Sequence, residues 1–218
     1  MATNPANRPV LVIDTTGRWC AAALQLATGR ILQRDEAMER GQAERLAPLV
    51  GELLDEAGIA PRELWRIGVA TGPGSFAGTR AGTAFARGLA LASGAQAVGI
   101  SSLAAMAREA DPESRAAVFA VHDARRSELV WQVFSRGAAQ GEPVRSDVAD
   151  ARAAFTASGA AHLAGSGAHL LDPASPWVDH SPLMALLALT REAGGDTPLP
   201  SPHYARPPDA ALPGGIVP

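Results

Sequence analysis

The order of apolar and polar positions divides this chain into short runs, most of which read as strand or helix. Residues 10–13 are an unbroken apolar run closed by Asp14, the pattern of a buried strand. Thr15-Thr16-Gly17-Arg18 has turn chemistry, residues 20–26 are apolar again, and Thr28-Gly29-Arg30 turns the chain into a more polar strand over 31–38. Together they predict a three-stranded antiparallel meander with Asp14 at a strand tip. Over 42–57, Leu46, Leu49, Val50, Leu53, Leu54 and Ala57 share one helical face. Pro48 falls near the first turns, and Gly58 suits a C-terminal stop. Residues 64–70 predict a strand, with Trp65 at its start.

Further on, 97–100 reads as a strand and 101–110 as a helix capped by Ser101 or Ser102 and ended by Asp111-Pro112. Strands over 117–121 and 129–134 flank a charged hairpin tip, His122 to Glu128. An apolar strand ending in aspartate, a turn and a second apolar strand therefore occur twice, around Asp14 and around Asp123. The repetition suggests two lobes on one plan, 1–113 and 114–218. Residues 148–158 read as a helix, 162–164 as a brief strand into Gly165-Ser166-Gly167, and 183–193 as a helix stopped by Gly194-Gly195. The proline-rich remainder reads as chain that is either extended along a surface or loose.

Between the strand at 64–70 and a small-residue helix over 77–92 lies Thr71-Gly-Pro-Gly-Ser-Phe-Ala-Gly-Thr-Arg80. A strand, a glycine-rich turn and a helix start gather unpaired amides at the positive end of a helix dipole. Gly72, Gly74, Ser75 and Phe76 are thus candidates for an anion loop, with a ligand-free tight connection as the alternative. Gly74, Gly78 and Gly82 recur every four residues, and each glycine inside a helix costs about 1 kcal/mol relative to alanine. Close approach of another backbone would offset that cost, whether from this chain or from a partner, with no preference between them. Arg80 and Arg87 lie near one face, suited to a partner carboxylate or phosphate.

Composition narrows the function classes. Of 218 residues, 47% are hydrophobic and only 5% aromatic, so the core rests on aliphatic side chains. The net charge of -3 argues against a stand-alone RNA binder. Cys20, the one cysteine, excludes an internal disulfide and reads as a packed thiol. The first nine residues carry no apolar leader core, and no run of roughly 18 apolar residues is present, so a cytoplasmic protein without a membrane segment is expected. A Walker loop fails for want of lysine and spacing, a nucleophile elbow fails around Ser75, and the five histidines show no metal-ligand spacing.

The residues that match a family are Leu11-Val12-Ile13-Asp14-Thr15-Thr16, Gly72-Pro73-Gly74-Ser75-Phe76-Ala77-Gly78-Thr79-Arg80, Gly88-Leu89-Ala90, Val98-Gly99-Ile100-Ser101-Ser102-Leu103, Asp123-Ala124-Arg125-Arg126-Ser127-Glu128 and Tyr204-Ala205-Arg206. In that order they resemble the TsaB family, subunits of the bacterial machinery that forms threonylcarbamoyladenosine in tRNA. Ala77 stands where the family usually has threonine and Ala205 where it usually has leucine. From about 137 to 196 only Gly165-Ser166-Gly167 matches.

The resemblance implies an α/β, two-lobed fold like that of actin and the sugar kinases, each lobe a mixed sheet opening with a meander and flanked by helices. It implies a non-catalytic scaffold or activator, a pseudo-enzyme that pairs with the catalytic paralogue TsaD. Partners expected on this basis are the TsaD-like paralogue, a TsaE-like ATPase, a second copy when alone, and tRNA only within the complex. In the paralogue, paired histidines on the helix before the glycine-rich stretch hold a metal; residues 42–57 here contain no histidine, so no metal is expected. No cofactor is expected on the chain itself, with ATP or ADP admissible at the complex interface. Partner-interface or anion-loop candidates are Gly72, Gly74, Ser75, Phe76, Gly78, Arg80, Gly82, Leu46, Leu49 and Leu53; lobe-tip candidates are Asp14, Asp123 and Arg125. The alternative is a free-standing ATPase or small-molecule kinase of the same fold, resting on Asp14, Asp123 and the glycine-rich turns. A peptidase lacks a recognisable nucleophile.

Overall fold

The computed structural model describes residues 8–177 and 179–204. Ala205, Arg206 and Pro207, Pro208, Pro213 and Pro218, part of the expected motif and tail, lie outside the described residues.

The first sheet has the order β3-β2-β1-β4-β5. Strands β1 (Val10–Asp14), β2 (Trp19–Gln25) and β3 (Ile31–Ala37) form the antiparallel meander; β4 (Arg66–Ala70) and β5 (Gln96–Ile100) extend it in parallel on the far side of β1. Successive side chains of a strand face opposite ways, so the apolar run of β1 serves two cores at once. Leu11 and Ile13 pack with Leu46, Leu49 and Leu53 of α1 (Gln42–Ala57) and with Ala86 and Ala90 of α2 (Phe76–Ser93). Val10 and Val12 pack on the other side with Leu183, Leu186 and Leu187 of α6 (Leu183–Glu192).

The second sheet has the order β8-β7-β6-β9, from β6 (Ala117–Asp123), β7 (Glu128–Ser135), β8 (Ala138–Asp147) and β9 (His162–Ala164). Its meander with one parallel addition beside the first strand repeats the order β3-β2-β1-β4. Each lobe is thus a mixed sheet opening with a meander, the two-lobed actin-like arrangement. One face is covered by Leu103, Met106 and Ala107 of α3 (Ser102–Ala110), the other by α4 (Val148–Ser158) and the short α5 (Ala168–Leu171).

Two differences from the sequence reading have physical causes. Strand β8 was not expected, because almost every side chain in it is exposed and backbone pairing to β7 alone defines it. The division at 113/114 separates the sheets but not the helices, since α6 returns to the first sheet. Arg66, 5% exposed, donates from Nη1 to the carbonyls of Thr190 (2.8 Å) and Arg191 (3.0 Å) at the C-terminal end of α6. Those carbonyls supply partial negative charge at a helix end, where a cation is favourable. The Trp65 ring centre lies 4.1 Å from the same guanidinium.

Candidate functional site

The glycine-rich stretch is a connection first of all. Beyond β4 the chain passes through a cis Gly72–Pro73 bond into Ser75, the N-cap of α2, whose Oγ accepts from the Gly78 amide (3.2 Å). The Ser75 amide donates to the Thr16 carbonyl (2.6 Å), and Thr15 Oγ1 donates to the Gly78 carbonyl (2.7 Å). A Cβ at Gly74 would come within 2.6 Å of the Thr16 carbonyl oxygen, one at Gly78 within 1.9 Å of the Thr15 carbonyl oxygen, and one at Gly82 within 2.5 Å of Thr15 Oγ1. The glycine stripe is therefore the internal seat of the β1–β2 turn, which corrects the expectation of Gly74, Gly78 and Gly82 as partner interface. Leu46, Leu49 and Leu53 are at most 1% exposed and fill the first core, so they form no partner surface either. Gly72 accommodates the tail: a Cβ there would meet the His203 carbonyl oxygen at 2.4 Å.

Asp14 is 1% exposed and fully occupied. Its Oδ1 accepts from the Thr16 amide (2.9 Å) and Thr16 Oγ1 (2.7 Å), and its Oδ2 accepts from Ser181 Oγ (2.8 Å). Asp14 ties the first turn to the segment entering α6. Cys20 is buried, and burial pushes its thiol up to about 11, consistent with a packed thiol.

Between the two sheets lies a cavity of about 940 Å³. Its first-lobe wall includes Arg18, Ser75 and Phe76, and its second-lobe wall Asp123, Arg125 and Ser166, so the structure brings the expected loop and the second lobe tip onto one space. Asp123 Oδ1 accepts from the Arg125 amide (2.8 Å). Arg125, Arg126 and Ser127 all have positive φ (68°, 55° and 62°), an unfavourable conformation for side-chain-bearing residues.

Among the wall residues that the sequence reading did not offer as candidates are Ser166 and His122. Ser166 Oγ accepts from the Asp123 amide (3.0 Å) and lies 3.1 Å from His122 Nδ1. Burial holds His122 down to about 4, with Asp123 opposing and Arg125 assisting the shift. The imidazole is neutral at pH 7, and Nδ1 is suited to accept the Ser166 proton. The Gly-Ser-Gly string was visible in sequence, but nothing local marked His122 as its neighbour 44 positions away. Trp177 and Asp179 also face the cavity, and burial raises the Asp179 carboxyl. Among the described residues, no three His, Cys, Asp or Glu side chains gather as metal ligands. No helix among them is long and apolar enough to cross a membrane.

Against known proteins, residues 35–169 match the family model described as TsaD: tRNA N6-adenosine threonylcarbamoyltransferase. The chain is 34% identical over 142 residues to the tRNA threonylcarbamoyladenosine biosynthesis protein TsaB of Haemophilus influenzae, covering 65% of this chain and 58% of that one. It is 34% identical over 128 residues to TsaB of Escherichia coli, covering 58% of this chain and 55% of that one. The chain thus spans little more than half the length of these relatives. A Pseudomonas aeruginosa structure, described as an uncharacterized protein with similarity to peptidase YEAZ, superposes with a TM-score of 0.70 at 27% identity, over 91% of this chain and 100% of that one. The expectation of a pseudo-enzyme is corrected by these findings: the relatives are named as biosynthesis proteins and the solved structure by likeness to a peptidase, and none carries pseudo-enzyme status.

Proposed function

The chain belongs to the TsaD family, tRNA N6-adenosine threonylcarbamoyltransferase, in its TsaB group, and from that premise we propose that it takes part in forming threonylcarbamoyladenosine in tRNA by pairing with a TsaD-like partner. The observation that carries this reading is the likeness to two TsaB biosynthesis proteins. The TsaE-like ATPase belongs to the same assembly in this reading, and a second copy takes the partner's place when the chain is alone.

The outer face of α2 is a suitable pairing surface. Its inner glycines are occupied by the β1–β2 turn, but Ala77, Ala84, Arg87, Gly88 and Leu91 are exposed along the opposite side. Leu91 is 89% exposed, and a Cβ at Gly88 would meet nothing within 4 Å. A helical face of small residues from which Leu91 and Arg87 protrude admits close approach of another helix at Ala77, Ala84 and Gly88. The test is co-purification with the TsaD-like protein of the same genome. Wild type is expected to be retained and Leu91→Arg to be lost with its melting temperature unchanged; equal retention of both would remove this surface from the reading, and no retention of wild type would remove the pairing itself.

A further inference from the structure

Phe76 and Tyr204, both on the cavity lining, form an aromatic patch with Arg80. The two ring centres are 4.8 Å apart, with planes at 39°. The Arg80 guanidinium carbon lies 4.3 Å from the Phe76 ring centre, and Nε donates to the Tyr204 hydroxyl (2.9 Å). Phe76 and Tyr204 nevertheless remain 37% and 36% exposed. In a chain with 5% aromatics, whose Phe119 and Phe134 are buried in the second lobe, two solvent-facing rings locked by an arginine are an unusual expense of surface.

The same lining carries Arg18, Arg125 and Arg126 beside the N-terminal, positive end of α2. Glu39, Asp123 and Asp179 offset part of that charge. The Arg18–Glu39 pair is long, at 3.5 Å, with both side chains more than 60% exposed, so it exchanges readily for a ligand anion. Aromatic faces next to guanidinium groups are the chemistry by which single-stranded RNA is held: bases stack on the rings while arginines take the phosphates. A duplex hides its base faces and fits this arrangement poorly. The cavity volume, about 940 Å³, is ample for one nucleotide.

The geometry points to an RNA contact in which an unpaired base stacks on Phe76 and Tyr204 and a flanking phosphate lies among Arg18, Arg125 and Arg126. It rests on the reading above and gives the tRNA of that reading a landing point on this chain. The overall charge of -3 makes the contact local, with the longer-range attraction coming from the paired subunit.

The test is fluorescence anisotropy with a short fluorescein-labelled single-stranded oligoribonucleotide and its duplex, on the chain alone and on its complex with the TsaD-like partner. Single strand is expected to bind better than duplex. Phe76→Ala should weaken binding roughly ten-fold, Tyr204→Phe should retain it, and Arg125→Ala should flatten the salt dependence by about one phosphate contact. Thermal melts establish that each variant is folded. Equal affinity of wild type and Phe76→Ala, or no binding by either chain or complex, overturns the assignment. If Phe76→Ala instead abolishes capture of the paralogue with RNA affinity unchanged, the patch is a protein seam and the assignment is wrong. Retention of the paralogue by wild type is scored separately, so the pairing can stand while the RNA contact falls.

Discussion

At the end of β1 the Asp14 carboxylate is 1% exposed and accepts from Thr16 and Ser181, with the following Thr15 buried against α2. At the end of β6 the Asp123 carboxylate is half-buried, accepts from Arg125, and is followed, after the buried Ala124, by three exposed residues with positive φ. The strand, aspartate, turn and strand are the same in both lobes. What differs is the neighbourhood. The first turn is held between the glycine stripe of α2 and the segment entering α6 and reaches the cavity through Thr16, Gly17 and Arg18 while Asp14 does not, whereas at the second tip Asp123 itself lines the cavity. A repeated local motif therefore does not carry one role with it; the elements packed on each copy decide whether its polar groups bind the fold together or face a ligand.

The largest effect that would sharpen this contrast comes from filling the seat of the first turn. Gly78→Leu places side-chain atoms where the Thr15 carbonyl stands, so a loss of about 3 kcal/mol, at the upper end of overpacking costs, or failure to fold is expected. Gly88→Ala, on the open side of the same helix, should instead gain about 0.5–1 kcal/mol. Thermal melts of the two variants decide it, and similar melting temperatures would refute the internal seam.

On the second lobe the expected signature is acid sensitivity. The unfolded chain protonates His122 near 6.5, while the folded chain keeps it neutral down to about 4. The unfolded state then binds more protons, so this contribution to stability is fully present above pH 6.5, declines as pH falls and is lost by about pH 4, about 3 kcal/mol in all. Burial raises the carboxyls of Asp35 and Asp179, which favours proton uptake by the folded state and works in the opposite direction. The difference between wild type and His122→Asn in urea unfolding isolates the histidine. Parallel stability curves from pH 7 to pH 4 would show that His122 titrates normally.

Comparing the two aspartates directly, Asp14→Ala should cost about 2–3 kcal/mol, because it strands the buried donors of Thr16 and Ser181. Asp123→Ala should cost less than about 1 kcal/mol, since Arg125 can turn to water. Equal losses would mean that the second tip is as structural as the first. A comparably small effect, a gain of about 0.5–1 kcal/mol, is expected for Ser127→Gly, which relieves a positive φ of 62° in an exposed position; a loss would show that the turn is held by contacts of the serine itself.

The sequence by itself determined most of the elements and the duplicated plan. Apolar runs such as 10–13 and the leucine face of α1 report burial directly, because period and burial are linked within one element. It also identified the family, through strings contiguous in the chain. It could not find β8, whose exposed side chains carry no burial signal and whose existence depends on pairing with β7. It left open whether the glycines of α2 meet this chain or another, because a missing Cβ records a close approach without naming the neighbour. Only the tertiary structure placed Thr15 there, brought Ser166 to His122 across 44 positions, and carried α6 back to the first lobe through Arg66. Contacts between distant segments depend on where whole sheets and helices come to rest, and no local pattern of residue types encodes that position.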